Sequence, residues 1–201
     1  MCAVVAPIVL LAAGSFWEDK PPDKWTELEL IKLITDSPWA QMVPGPGNVD
    51  TPAMQLYLAT AAPLDLAEHE RERRYRLRHP KTGEEAGDTL VAEYRAWLAE
   101  NRATQIVVAI GVGQAGAFSN EQETRRMTEE SVMRVGRKKY KITAHFPPSA
   151  GDPYLRLAFP RVASESDKTV TFDLYVPGVS MGARSVEFAI KTMMVKGKLE
   201  M

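Results

Sequence analysis

The chain has 201 residues, 45% apolar and 25% charged, enough to bury a core in one domain or in one domain plus an arm. Lys and Arg number 25 against 26 Asp and Glu, so no basic excess exists to neutralise phosphates, and neither nucleic acid nor an anionic membrane surface is an expected partner. The lone cysteine, Cys2, rules out an intrachain disulfide and a thiolate cluster for zinc or iron–sulfur.

Residues 1–14, "MCAVVAPIVLLAAG", carry no charged side chain. Such a run is too short to span a bilayer comfortably but suits the apolar centre of a signal peptide. Ala12, Ala13 and Gly14 supply the small residues of a cleavage site before Ser15. The expectation is therefore a leader at 1–14 and a periplasmic or secreted protein, with no integral membrane segment in the mature chain. A buried N-terminal strand or short core helix is the other reading. A lipoprotein signal is not met, because Ser15 stands where the lipidated cysteine must be.

Residues 15–50 read as a helical arm ending in a linker. Thr26 can cap a helix, Glu29 completes a capping box, and Trp25 with Leu30 occupies the two positions of a hydrophobic staple. Leu30, Leu33 and Ile34 then recur at core spacing. Pro38 disfavours the helical conformation at Ser37, so the helix should end near Asp36. In "DSPWA", Trp39 is then a packing residue carried back to the core rather than a ligand-gripping aromatic. Pro44-Gly45-Pro46-Gly47-Asn48 is the linker.

Residues 51–201 read as an α+β domain. Met54, Leu56 and Leu58 alternate with polar neighbours, as in a strand. Leu64 to Arg78, with "AEHERERRYRLR", is helical in propensity but poor in apolar residues, so it should bury little. Asp88 to Asn101 is a better helix, with Leu90, Tyr94, Trp97 and Leu98 on one face. "IVVAI", Ile106 to Ile110, is apolar on both faces, as a central strand is. Four later segments alternate: Tyr140 to Phe146, Leu155 to Phe159, Val170 to Val176, and Val186 to Ile190. That pattern predicts antiparallel strands covered on one side only. "KGKLEM" can add a short edge strand. The fold expected is α+β, with a capped helical arm, two further helices and a mostly antiparallel sheet in the C-terminal half.

"KWTELELIKLITDSPWA", "LAFPR" with "DKTVTFDL", and the terminal "VEFAIKTMMVKGKLEM" together resemble an uncharacterised family of exported bacterial proteins. That family pairs a W-S/T-E-x-E helix with S-P-W-A and ends in a K-G-K-L-E-L-like strand. The matching pieces cover about a third of the chain. The resemblance implies export and a common architecture, and no activity.

Two motifs could carry chemistry. Gly111, Gly113 and Gly116 match G-x-G-x-x-G after an apolar strand, the setting in which backbone amides hold a pyrophosphate. Against it, "SNEQETRRMTEESV" offers almost no face to lie on a parallel sheet, and no βαβ run surrounds it. Ser180 sits in G-x-S-x-G, but strand-like flanks replace the strand-to-helix turn of a nucleophile elbow, and all three histidines precede it. His69 opens "HERER", with Arg73 where a zinc-binding pair needs its second histidine. His79 belongs to no motif, and His145 falls on a polar strand face. "GRKKYK", Gly136 to Lys141, reads as a solvated turn. No catalytic residue, no metal site and no cofactor is assigned. The expected function is a non-catalytic exported module, periplasmic or secreted, that binds a protein partner or self-associates; the alternative is an enzyme using Gly111–Gly116 or Ser180.

Overall fold

The computed structural model describes residues 15–44, 53–80, 88–112, 118–179 and 183–201. The leader expected at 1–14, the linker glycines Gly45 and Gly47, Gly113 and Gly116, and Ser180 lie outside the described residues.

The fold is α+β with antiparallel sheets, strands lying mostly in the C-terminal half. A one-turn helix α1 (Phe16–Asp19) and a 3-10 turn (Pro22–Lys24) lead into α2 (Glu27–Thr35). The predicted capping box is present. Thr26 Oγ1 accepts from the Glu29 amide at 3.1 Å, and the Glu29 carboxylate accepts from the Thr26 amide at 2.8 Å. Leu30, Leu33 and Ile34 are buried, and Asp36 is the C-cap, as the Pro38 argument requires.

The next strand has no counterpart in the sequence expectations. Ala40–Val43 forms β1, paired antiparallel with β2 (Met54–Leu58) so that Ala40 faces Tyr57. The α2 helix and β1 thus belong to the same core as the strands that follow. Helix α3 (Ala62–Arg78) buries Pro63, Leu64, Ala67 and Glu70, and its last two turns are solvated. Helix α4 (Thr89–Asn101) is capped by Asp88, whose carboxylate accepts from the Leu90 and Val91 amides. Of its predicted apolar face only Tyr94 is buried, while Trp97 and Leu98 pack against the core edge and Leu90 is exposed.

Strand β3 (Gln105–Gly111) lies between β2 and β7 (Tyr154–Pro160), antiparallel to both. Helix α5 (Glu121–Glu130) is capped by Asn120 and buries Met127. Then come β4 (Val132–Val135), β5 (Lys138–Lys141), β6 (Ala144–Phe146), β8 (Thr169–Tyr175) and β9 (Ala183–Ala189). They form two sheets, ordered β1-β2-β3-β7-β6 and β5-β4-β8-β9. The segment read as one strand from Tyr140 to Phe146 is two. The chain leaves the four-stranded sheet after Lys141 and joins the five-stranded one at Ala144. Alternation reports that a segment is extended, not which neighbour it pairs with.

"GRKKYK" is the β4–β5 hairpin, with Gly136 at φ 57° opening its two-residue turn. Its lysines sit on an edge strand, where charge discourages pairing with another chain. The C-terminus makes a hairpin of β10 (Met194–Val195) and β11 (Lys198–Leu199), turned by Lys196 at φ 48° and Gly197 at φ 79°. Two successive left-handed residues make the turn that matches strand twist.

The register puts Tyr57, Ala109 and Arg156 side by side on one face of the five-stranded sheet, under α3 and α4. The opposite face presents Leu58, Val108 and Leu157. It meets the four-stranded sheet, where the Phe159 and Phe172 rings lie 5.4 Å apart. Both faces of β7 are therefore covered and Leu155 to Phe159 are all buried, against the expectation of one solvated side. Among the described residues no helix is long and apolar enough to cross a membrane.

Candidate functional site

The densest polar constellation lies under α3 and α4. Arg156 on β7 is 5% exposed. Its Nε donates to Asp152 Oδ2 at 2.6 Å, and its Nη1 donates to Glu68 Oε1 at 3.0 Å and to the Tyr94 hydroxyl at 3.3 Å. The guanidinium lies over the Tyr94 ring, 4.5 Å from its centre. Glu68 Oε1 also accepts from the Tyr57 hydroxyl at 2.6 Å. Tyr154 stands edge-on to Tyr57, and its hydroxyl donates to Gln55 Oε1, whose amide nitrogen donates to the Ile34 carbonyl. One network thus joins α2, α3, α4, β2 and β7.

Electrostatics hold Arg156, Tyr94 and Tyr57 each in one protonation state. Burial pulls the Arg156 pKa down, but Glu68, the tyrosines and Asp152 outweigh it, and the guanidinium stays well above its ordinary value. Burial raises Tyr94 to about 12, and burial with the Glu68 charge raises Tyr57 well above its usual value. Both tyrosines are neutral, Tyr57 donating to Glu68 and Tyr94 accepting from Arg156, and the arginine is a fixed cation, so none of these three is poised to exchange a proton at neutral pH.

Beside the cluster, α3 and α4 enclose a groove of about 280 Å³. Asp65, Glu68, His69 and Glu72 line its α3 wall at helical spacing, and Tyr94, Arg95, Leu98, Ala99 and Arg102 line the α4 wall. Ion pairs bridge the walls at both ends, Asp65 to Arg102 at 2.8 Å and Glu72 to Arg95 at 2.5 Å. The acidic wall is thereby neutralised by its neighbour.

A second ion cluster ties α3 to α2. Buried Glu70 takes Arg73 on both oxygens, at 2.7 and 2.8 Å, and Arg74 at 2.6 Å. Arg74 continues to Glu27 and to the Trp25 carbonyl. The Arg73 hydrogen bonds, with Arg74 behind them, lower the Glu70 pKa from 4.5 to about 2. A depressed carboxylate contributes stability above its unfolded pKa and loses it as pH falls through the folded one. The melting-temperature gap between the native protein and Glu70→Gln should therefore be widest above pH 4.5 and close as pH approaches 2. A gap that stays constant across that range would show that Glu70 stabilises without its charge.

The sequence candidates are placed differently. Gly111 ends β3, and residues 113–116 of the motif lie outside the described residues. The strand before the motif runs in the five-stranded sheet, while α5 packs on β8 of the other sheet. The two elements that would frame a pyrophosphate thus belong to different layers. The β8 and β9 strands pair directly, Tyr175 opposite Ala183, so G-x-S-x-G joins two antiparallel strands. A hollow of about 290 Å³ at that end is lined by Glu130, Asp173, Leu174, Tyr175, Ala183, Arg184 and Ser185, with no histidine among them. His69 leans on the Asp65 carbonyl, His79 stacks on Tyr75, and His145 is exposed on β6 with its pKa lowered by partial burial. No cluster of three or more His, Cys, Asp or Glu side chains suited to a metal ion occurs among the described residues.

The Arg156 network had no sequence signal beyond a charged residue interrupting an otherwise apolar strand. Comparison with models of protein families, with curated proteins and with solved structures returned no match to this chain.

Proposed function

We propose that the protein is a non-catalytic exported module, periplasmic or secreted, that works by binding a protein partner or by assembly. The observation that carries this reading is the saturation of its polar clusters. Arg156, Glu68, Asp152 and the tyrosines satisfy one another, as do Glu70 and its arginines. Groups so paired rigidify a fold. Export is supported by the leader-like run at residues 1–14. Phe16 and Trp17, just after the expected cleavage site, pack against Trp25 and Trp39.

Sequencing the N-terminus of the native protein, with fractionation and in-cell cross-linking, tests this. Ser15 is the expected first residue, in the envelope or medium, in a cross-linked protein adduct. A cytosolic chain retaining Met1 would refute export. Covalent labelling of Ser180 by a fluorophosphonate, or NAD binding that is lost in Gly113→Val, would replace the reading with an enzymatic one.

A further inference from the structure

The α2–α3 pair carries aliphatic side chains that are exposed among the described residues. Leu28 and Ile31 are 78% and 52% exposed on α2, and Leu66 and Leu77 are 43% and 69% exposed on α3. Spacings of three on α2 and eleven on α3 place each pair on a single stripe of its helix. The two helices are joined where Glu27 of α2 meets Arg74 and Arg78 of α3. Single exposed leucines are ordinary, but an aliphatic stripe on each of two neighbouring, ion-paired helices is a feature of interaction surfaces.

Charge divides this surface in two. From α1 through α2, Glu18, Asp19, Asp23, Glu27, Glu29 and Asp36 outnumber three lysines. On the second half of α3, from Glu70 to Arg78, five arginines outnumber two glutamates. The near-zero net charge of the whole chain conceals this polarity. Within one copy the halves already touch, where Glu27 pairs with Arg74 and Arg78.

A patch with an acidic half and a basic half, each carrying apolar residues, is complementary to itself after a two-fold rotation. We propose that the α2–α3 face is the docking surface for a second copy of this chain, the acidic α1–α2 half of each copy lying on the basic α3 half of the other. Leu28 and Leu77 form the dry centre, and the carboxylates and guanidinium groups set the register. The proposal rests on the assembly reading above and names its partner.

Sedimentation velocity of the purified native protein over a concentration series tests it. A reversible dimer is expected, and Leu28→Glu with Leu77→Glu should weaken it at least roughly tenfold, as for central apolar anchors. Both sites are exposed, so at concentrations where the native protein is also monomeric each variant should keep the native melting temperature. Charge reversal supplies the second arm. Asp19→Lys with Asp23→Lys, and separately Arg76→Glu with Arg78→Glu, should each weaken the homodimer, while an equimolar mixture of the two should restore dimer. A native protein monomeric at every concentration overturns the proposal, as does a dimer indifferent to the leucine substitutions, or a mixture associating no better than its components. A monomer still cross-linked to a different protein in cells would refute the self-docking alone and leave the binding-module reading standing.

Discussion

Replacing Arg156 with methionine should cost about 3–5 kcal/mol of stability, the usual loss when one partner of a buried ion cluster is removed. The hydrophobic contribution of the new side chain does not offset this. Methionine fills similar space, but Asp152 loses its 2.6 Å bond and Glu68 keeps only the Tyr57 hydroxyl. The Tyr94 ring also loses the cation above it. Arg156→Lys should recover only part of the loss, since one ammonium cannot reproduce the fork that reaches Asp152 and Glu68 together. A double-mutant cycle with Glu68→Gln separates the pair from its surroundings. The second substitution should cost much less in the Arg156→Met background than alone, because the charge it removes is by then uncompensated. Denaturant melts of the four proteins give the coupling. Additive losses, or an Arg156→Met variant within 1 kcal/mol of the parent, roughly the median cost of any point substitution, would show that the cluster is not a unit.

That cluster is also where sequence reading stops. The capping box at Thr26 and Glu29 is local, three residues apart, and was legible. So were β2, β3, β7, β8 and β9, because apolar alternation or an apolar run marks a strand without knowledge of its partner. Short strands without such a run were not: β1 has four residues directly behind Pro38 and Trp39, and β4 is Val-Met-Arg-Val. Arg156 occupies what alternation marks as a polar, solvent-facing position. Its burial follows from Tyr57 and Ala109 lying beside it in register and from two helices closing over that face. Glu68, Tyr94 and Asp152 come from separate elements, each an ordinary residue of its own helix or loop. Their convergence is a property of long-range pairing, which no short window of sequence contains. The exposed stripe of α2 was hidden differently, since Leu28 and Ile31 lie just beside the core positions Leu30, Leu33 and Ile34.

Trp39→Ala should be the other costly substitution, at about 3–5 kcal/mol for a fully buried large aromatic. Trp39 is 0% exposed, immediately ahead of β1. The turn after α2 aims it: Ser37 Oγ donates to the Leu33 carbonyl at 2.7 Å and accepts from the Trp39 amide at 3.3 Å. The Trp39 carbonyl then accepts from the Leu58 amide at 2.9 Å, which starts the β1–β2 pairing. The indole makes two long-range contacts. It meets Trp17 edge-to-face at 5.5 Å, and its Nε1 donates to the Glu200 carbonyl at 2.7 Å. Truncation therefore opens a cavity, leaves the Glu200 carbonyl without its donor, and frees α1 and the C-terminal hairpin from a common anchor. Trp39→Phe separates these effects, since it keeps most of the volume and loses the hydrogen bond; its cost should be nearer 1–2 kcal/mol. A ligand-gripping tryptophan would behave in the opposite way, open to solvent in the free protein and dispensable for stability. Melts of both variants, with acrylamide quenching of a protein keeping Trp39 as its sole tryptophan, decide between the two. Efficient quenching together with an unchanged melting temperature for Trp39→Ala would place the ring in solvent and end the argument that it plugs the core.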